Sequence, residues 1–132
     1  MCFTVEATIK QRLVKLMTGR QMIVKQLIND YSCFSMYKLK GYPTLKGSRF
    51  KVMKSIGLLH SALENLEGVL WSGTPGYRKN IPALKEIMCD LNNIAAIVQA
   101  NCDTDISDTL TTLYHKILIL DGCCCMVDEN DK

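Results

Sequence analysis

Residues 52–70 read VMKSIGLLHSALENLEGVL. Val52, Ile56, Leu59, Leu63, Leu66 and Leu70 recur at alternating steps of four and three, which gathers them on one face of an α-helix. It is the clearest periodic pattern in the chain. An amphipathic helix cannot bury such a stripe alone, so the stretch calls for partner helices.

Those partners are legible on both sides. Upstream, Ile9, Leu13, Leu16, Ile23 and Leu27 form a stripe that follows a candidate N-cap at Thr4 and that Arg20 interrupts. Gly19 weakens its middle by about 1 kcal/mol relative to alanine. This helix is expected to end near Tyr31–Cys33. The basic stretch YKLKGYPTLKGSRFK, residues 37–51, follows. Gly41, Pro43 and Gly47 argue against a continuing helix there, MYKLKGY offers at most a weak strand, and Thr44 or Ser48 is placed to cap the second helix. Downstream of Leu70, WSGTPGYRKN reads as a loop. Asn80 then caps a third helix with Pro82 in its first turn, where a missing N–H costs little. Leu84, Ile87, Met88, Leu91, Ile94, Ala95 and Val98 form its inner face. After the short connection NCDTDIS, Asp105 or Ser107 caps a fourth helix lined by Ile106, Leu110, Leu113, Ile117 and Leu120, and Asp121-Gly122 supplies its stop.

The expected fold is all-α. It is a single-domain antiparallel four-helix bundle over residues 1–122, with long irregular loops after helices 1 and 2. A Cys-rich and then acidic tail occupies residues 123–132. At 132 residues, with 48% hydrophobic and 22% charged residues, the chain has room for one domain that folds without a staple. No apolar run approaches the roughly 18 residues of a membrane span. IAAIVQA and ILIL are core-sized. The N-terminal MCFTVEATIKQR lacks a leader's basic, apolar and cleavage regions, and Cys2 stands where myristoylation needs glycine. A cytoplasmic location is expected, or a secreted one if an upstream leader has been removed.

Several chemistries lack their residues. SGTPG is a turn without the glycine–lysine–hydroxyl signature of a phosphate loop. His60 and His115 are the two histidines. His60 and Ser61 are sequence neighbours and diverge by about 100° on a helix, so they make no nucleophile–base pair. Glu64 and Glu67 share a helix face and read as solvated. DTDISD places Asp103, Asp105 and Ser107 at alternate positions, as a calcium loop does, but lacks that loop's glycine and its closing glutamate. Helix capping accounts for these acids better. The seven cysteines, Cys2, Cys33, Cys89, Cys102, Cys123, Cys124 and Cys125, show no two-residue gap of a zinc or redox motif. Cys89 reads as a core or boundary residue, and the triplet as accessible thiols just past the last helix. The expectation is a protein with no catalytic residues, cofactor or metal.

Charge is distributed unevenly. Residues 1–60 carry eleven Lys and Arg against Glu6 and Asp30, and residues 61–132 carry five against eleven acids. This asymmetry can pair halves within a molecule or between copies. The candidate partner-binding residues are Lys38, Lys40, Tyr42, Lys46, Arg49, Lys51 and Lys54, with Trp71 either closing one end of the core or standing out as an anchor. The pattern points to a non-enzymatic protein–protein interaction module, an adaptor or regulator whose partner presents an acidic surface to a helix face or to residues 38–54. A secreted cytokine-like four-helix ligand is one alternative. The other is an anion binder for nucleic acid or acidic membrane, since phosphates attract such a cluster and its aromatics can stack on bases.

Overall fold

The computed structural model describes residues 5–41 and 45–127, with side chains for 9–41 and 47–127. These residues form helices and their connections, with no strand among them. The elements are α1 (Val5–Lys40), α2 (Leu45–Ser72), the single turn α3 (Pro75–Arg78), α4 (Ile81–Gln99) and α5 (Ser107–Cys125).

The stripe of α2 is the centre of the core. Leu59, Leu63, Leu66 and Leu70 are each 0% exposed, and Val52 and Ile56 are buried beside them. At about 1.5–3 kcal/mol for each fully buried aliphatic side chain, this row outweighs the helix penalties of Gly57 and Gly68 on the same element. Leu84, Ile87, Leu91, Ile94 and Val98 of α4 face it, with Met88 and Ala95 packed at its margin. Ile106 and, on α5, Leu110, Leu113, Ile117 and Leu120 complete that side. From α1 come Ile9, Leu13, Val24 and Leu27, flanked by Leu16 and Ile23. α1 packs along α2 and α5, and α4 packs along the same two helices.

α1 continues through Tyr31–Cys33 to Lys40, so the expected end is corrected. Tyr31 and Phe34 are buried and extend the stripe by steps of four and three. The core therefore rewards two more turns. Gly41 ends the helix with φ 67°, a left-handed conformation that glycine adopts without a Cβ clash. Only positions 41–44 separate α1 from α2, in place of a long irregular loop, and the segment MYKLK is helix instead of strand. Ser48 lies inside α2 and is buried rather than capping it. Thr4 and Thr44 lie outside the described residues.

The link after α2 contains α3, with Pro75 in its first turn. Tyr77 of α3 is 0% exposed and seals this end of the core. Gly73 permits that: a Cβ there would lie 2.5 Å from Tyr77 Cδ2. Asn80 is the N-cap residue of α4, without a side-chain cap bond. α4 ends in a Schellman arrangement. Asn101 takes a φ of 54°, Asn101 N–H donates to Val98 O at 3.1 Å, and Cys102 N–H donates to Ile97 O at 3.3 Å. Asp105 organises the start of α5, its Oδ1 accepting from Ser107 N–H at 3.0 Å and from Ser107 Oγ at 2.7 Å.

α5 does not stop at Gly122. It runs to Cys125 and carries the cysteine triplet as its last turn. Cys124 falls one heptad beyond Ile117, on the core face, and is 1% exposed. Burying it holds the last turn against the glycine. The acidic residues 128–132 lie outside the described residues.

Candidate functional site

The structure separates the predicted partner-binding residues. Lys38 and Lys40 form the last turn of α1, and Arg49, Lys51 and Lys54 lie in the first three turns of α2. They meet at one corner of the fold. Tyr42 and the side chain of Lys46 lie outside the described residues. Trp71 stands near the other end of α2, 22 residues beyond Arg49 and thus about 33 Å away at a helical rise of about 1.5 Å per residue. Trp71 is exposed; of the two roles open to it, closing the core belongs to Tyr77. Its Nε1 donates to Glu67 Oε2 at 3.4 Å, and the Arg78 guanidinium lies 5.9 Å from its ring centroid. Glu67 also pairs with Lys85 at 2.9 Å, and the Lys85 hydrogen bond holds its carboxyl below the usual value.

Lys38 already has work inside the fold. Its Nζ donates to the backbone carbonyls of Asn101, at 3.2 Å, and Cys102, meets Asp103 at 3.4 Å and lies 5.9 Å from the Phe34 ring. Asn101 and Cys102 follow the C-cap of α4, so the ammonium sits at the negative end of that helix's dipole and satisfies carbonyls of the α4–α5 connection. Lys38 therefore ties α1 to the α4–α5 connection, and the outward charge of the corner comes from Lys40, Arg49, Lys51 and Lys54.

Three apolar residues stand beside those charges: Phe50, an aromatic of the basic stretch, and Leu39 and Met36, which sequence pattern does not mark out. Leu39 is 86% exposed, Phe50 70% and Met36 42%. From Tyr31 to Leu63 the chain contains no Asp or Glu. That acid-free run is the available signal; the exposure of Phe50 and Leu39 requires knowing which way each helix face points. Beside the corner, Phe34, Leu39, Ile97, Val98, Asp103 and Lys38 line an open groove of about 400 Å³. Its carboxylates make it mixed in charge. Burial pushes the Tyr31 phenol in its wall up, while its hydroxyl accepts from Ile106 N–H at 3.1 Å. The Ser107 hydroxyl and amide bonds hold Asp105 below the usual carboxylate range.

A second polar cluster lies in the core between α1 and α5. Arg20, which breaks the α1 stripe in sequence, is 1% exposed. Its Nε donates to Asp121 Oδ1 at 3.0 Å, its Nη2 meets the same oxygen, and Gln21 Nε2 donates to Asp121 Oδ2 at 3.1 Å. Arg20 Nη1 is buried without a partner. Burial pushes the neighbouring Cys124 thiol up to about 12, against a smaller opposing pull from Arg20. Cys125 Sγ donates to Met17 Sδ at 3.6 Å. A thiol as buried and as weakly acidic as Cys124 is a poor nucleophile.

The remaining candidate groups resolve simply. His60 pairs with Glu64 at 2.7 Å within α2, and His115 is exposed. Cys89 is exposed rather than in the core, and so are Cys33, Cys102 and Cys123. The triplet is split: Cys123 is exposed, Cys125 half-buried and Cys124 inside. Among the described residues, no group of three His, Cys, Asp or Glu side chains is placed to hold a metal, and no helix is long and apolar enough to cross a membrane. Comparison with protein-family models, with curated proteins and with solved structures gives no match.

Proposed function

We propose that this chain is a non-enzymatic interaction module, an antiparallel four-helix bundle that docks on an acidic protein surface through the α1–α2 corner. The antiparallel arrangement is supported by register. Asp30 bonds Ser55 at 2.7 Å, Glu67 pairs with Lys85 at 2.9 Å, and Lys116 pairs with Asp90 at 2.7 Å. Arg20 meets Asp121, while Tyr31 reaches Ile106. Between α4 and α5, Ala83 and Glu86 share a groove with Ile119 and Cys123, while Ile94 and Ile97 share one with Asp108 and Leu113; in the other helix pairs a later residue on one lies beside an earlier residue on the other.

The observation that carries the functional reading is the coincidence of cations and exposed apolar side chains at one corner. Arg49, Lys51 and Lys54 surround Phe50, with Leu39 and Met36 at the end of α1. Interfaces draw affinity from a few large anchors, while charge steers encounter and selects partners. Phe50 and Leu39 serve as anchors, and the cations select an acidic counterpart.

The test is binding of a fluorescent Glu-rich helical peptide at rising salt, with anionic vesicles and a generic oligonucleotide in parallel. The expected result is peptide binding that weakens with salt and falls at least tenfold on reversing Arg49, Lys51 and Lys54 to Glu. Binding of vesicles or oligonucleotide without the peptide would move the corner to the anion-binding alternative, and binding unaffected by the reversals would remove it as the site.

A further inference from the structure

The outer face between α4 and α5 carries an apolar groove with an acidic rim. One part, about 150 Å³, has Ile87 and Leu120 as its floor and Ala83, Ile119 and Cys123 along its walls. The next part, about 340 Å³, lies over Ile94 and Leu113 between Asp90 and Asp108. Lys116 divides them, bridging to Asp90 at 2.7 Å and Glu86 at 3.4 Å. Ile119 is 67% exposed in this setting. Three acids against one lysine leave the rim negative.

The opposite side of the molecule has the complementary pattern. α1 and α2 carry eleven Lys and Arg against four acids, whereas α4, α5 and their connection carry two lysines against six acids. On the outward face of α2, Phe50 and Lys54 lie one turn apart, flanked by Gly47 and Gly57, where an added Cβ would meet no neighbouring element within 4 Å. An apolar ring with a cation one turn on matches an apolar slot with Asp90 one turn along from Ile87. The smooth surface at the glycines admits a close approach.

We propose that the α4–α5 groove of one copy receives the Phe50–Lys54 face of α2 from a second copy. The proposal deepens the function proposed for the corner, resting on it for the basic face, and names a second copy as an occupant that competes with the acidic partner. Because the two surfaces differ, the contact is heterologous and extends head to tail instead of closing as a symmetric dimer.

Sedimentation of the full chain tests it with two surface variants: Phe50→Ser with Lys54→Glu, which loses the face, and Glu86→Lys with Ile119→Lys, which loses the groove. The wild type is expected to grow past dimer with concentration and to dissociate at high salt. Each variant alone stays monomeric and keeps its helical signal by circular dichroism. An equimolar mixture restores one intact contact and gives a dimer. A wild type that stays monomeric at low salt, or a mixture that stays monomeric, overturns the proposal. If that happens while the Glu-rich peptide still binds through Arg49, Lys51 and Lys54, self-association fails and the acidic-partner reading stands. A mixed dimer without peptide binding supports self-association and removes the acidic partner.

Discussion

Replacing Arg20 and Asp121 separately and together probes how α1 and α5 are held in register. Both side chains are almost completely buried, at 1% and 2% exposure. Removing either leaves the other charge without its counterion in a medium where solvation is poor, at a cost of about 3–5 kcal/mol. For a domain of this size that corresponds to a fall in Tm of roughly 10–20 °C. Arg20→Met and Asp121→Leu are therefore each expected to be severely destabilised. The double variant removes both desolvation penalties and also the buried, unpartnered Nη1. Its stability should return to within about 1 kcal/mol of wild type or exceed it, since apolar replacements of buried ion pairs are often neutral or stabilising. Urea unfolding of the four proteins gives the coupling energy directly. A single variant as stable as wild type, or a double variant whose loss equals the sum of the two, would show that the two charges do not depend on each other.

Lys38→Met should cost about 1–2 kcal/mol in urea unfolding, because the carbonyls of Asn101 and Cys102 lose their ammonium, whereas Lys51→Ala should fall within about 0.5 kcal/mol of wild type. Gly57→Ala should stabilise by about 0.5–1 kcal/mol, as its Cβ meets nothing. Gly73→Ala should destabilise by about 1–3 kcal/mol, because fully buried Tyr77 cannot yield the space. Alkylation of the native protein at pH 8, read by mass spectrometry, should modify Cys33, Cys89, Cys102 and Cys123 and spare Cys124 until the chain unfolds. Stability should also decline as pH rises from 9 towards 12. The unfolded Cys124 thiol and Tyr31 phenol ionise near their ordinary values of 9.0 and 10.0, while the folded groups, both raised, keep their protons. A stability curve flat across that range would contradict both burial assignments.

The stripes on α2, α4 and α5 are legible because hydrophobic spacing reports directly which face is buried. What spacing does not report is the strength of punctuation. Gly41 and Gly122 look alike in sequence, each following a polar residue at the end of a stripe. Gly41 ends α1 in the left-handed conformation, with φ 67°. Gly122 is passed over because Cys124 does. Arg20 looks like a break in a stripe whose periodicity it in fact continues. Its partner is 101 positions away, and no local pattern links them. The basic corner is visible as composition, and the structure reassigns one of its lysines. Lys38 resembles its neighbours in sequence but lies on the inner side of α1, where Asn101 and Cys102 present their carbonyls. Trp71 joins the corner in sequence only through its chemical type, and the length of α2 removes it.

Whether the α1–α2 corner is the working surface is decided by mapping backbone amide shifts of isotope-labelled protein as the Glu-rich peptide is added. Saturable shifts are expected at the end of α1 from Met36 onward and at the start of α2 through Lys54, with those of Trp71, Arg78 and Lys85 unmoved. Shifts centred on Trp71 or on the outer face of α4 and α5, with the corner silent, would contradict that assignment.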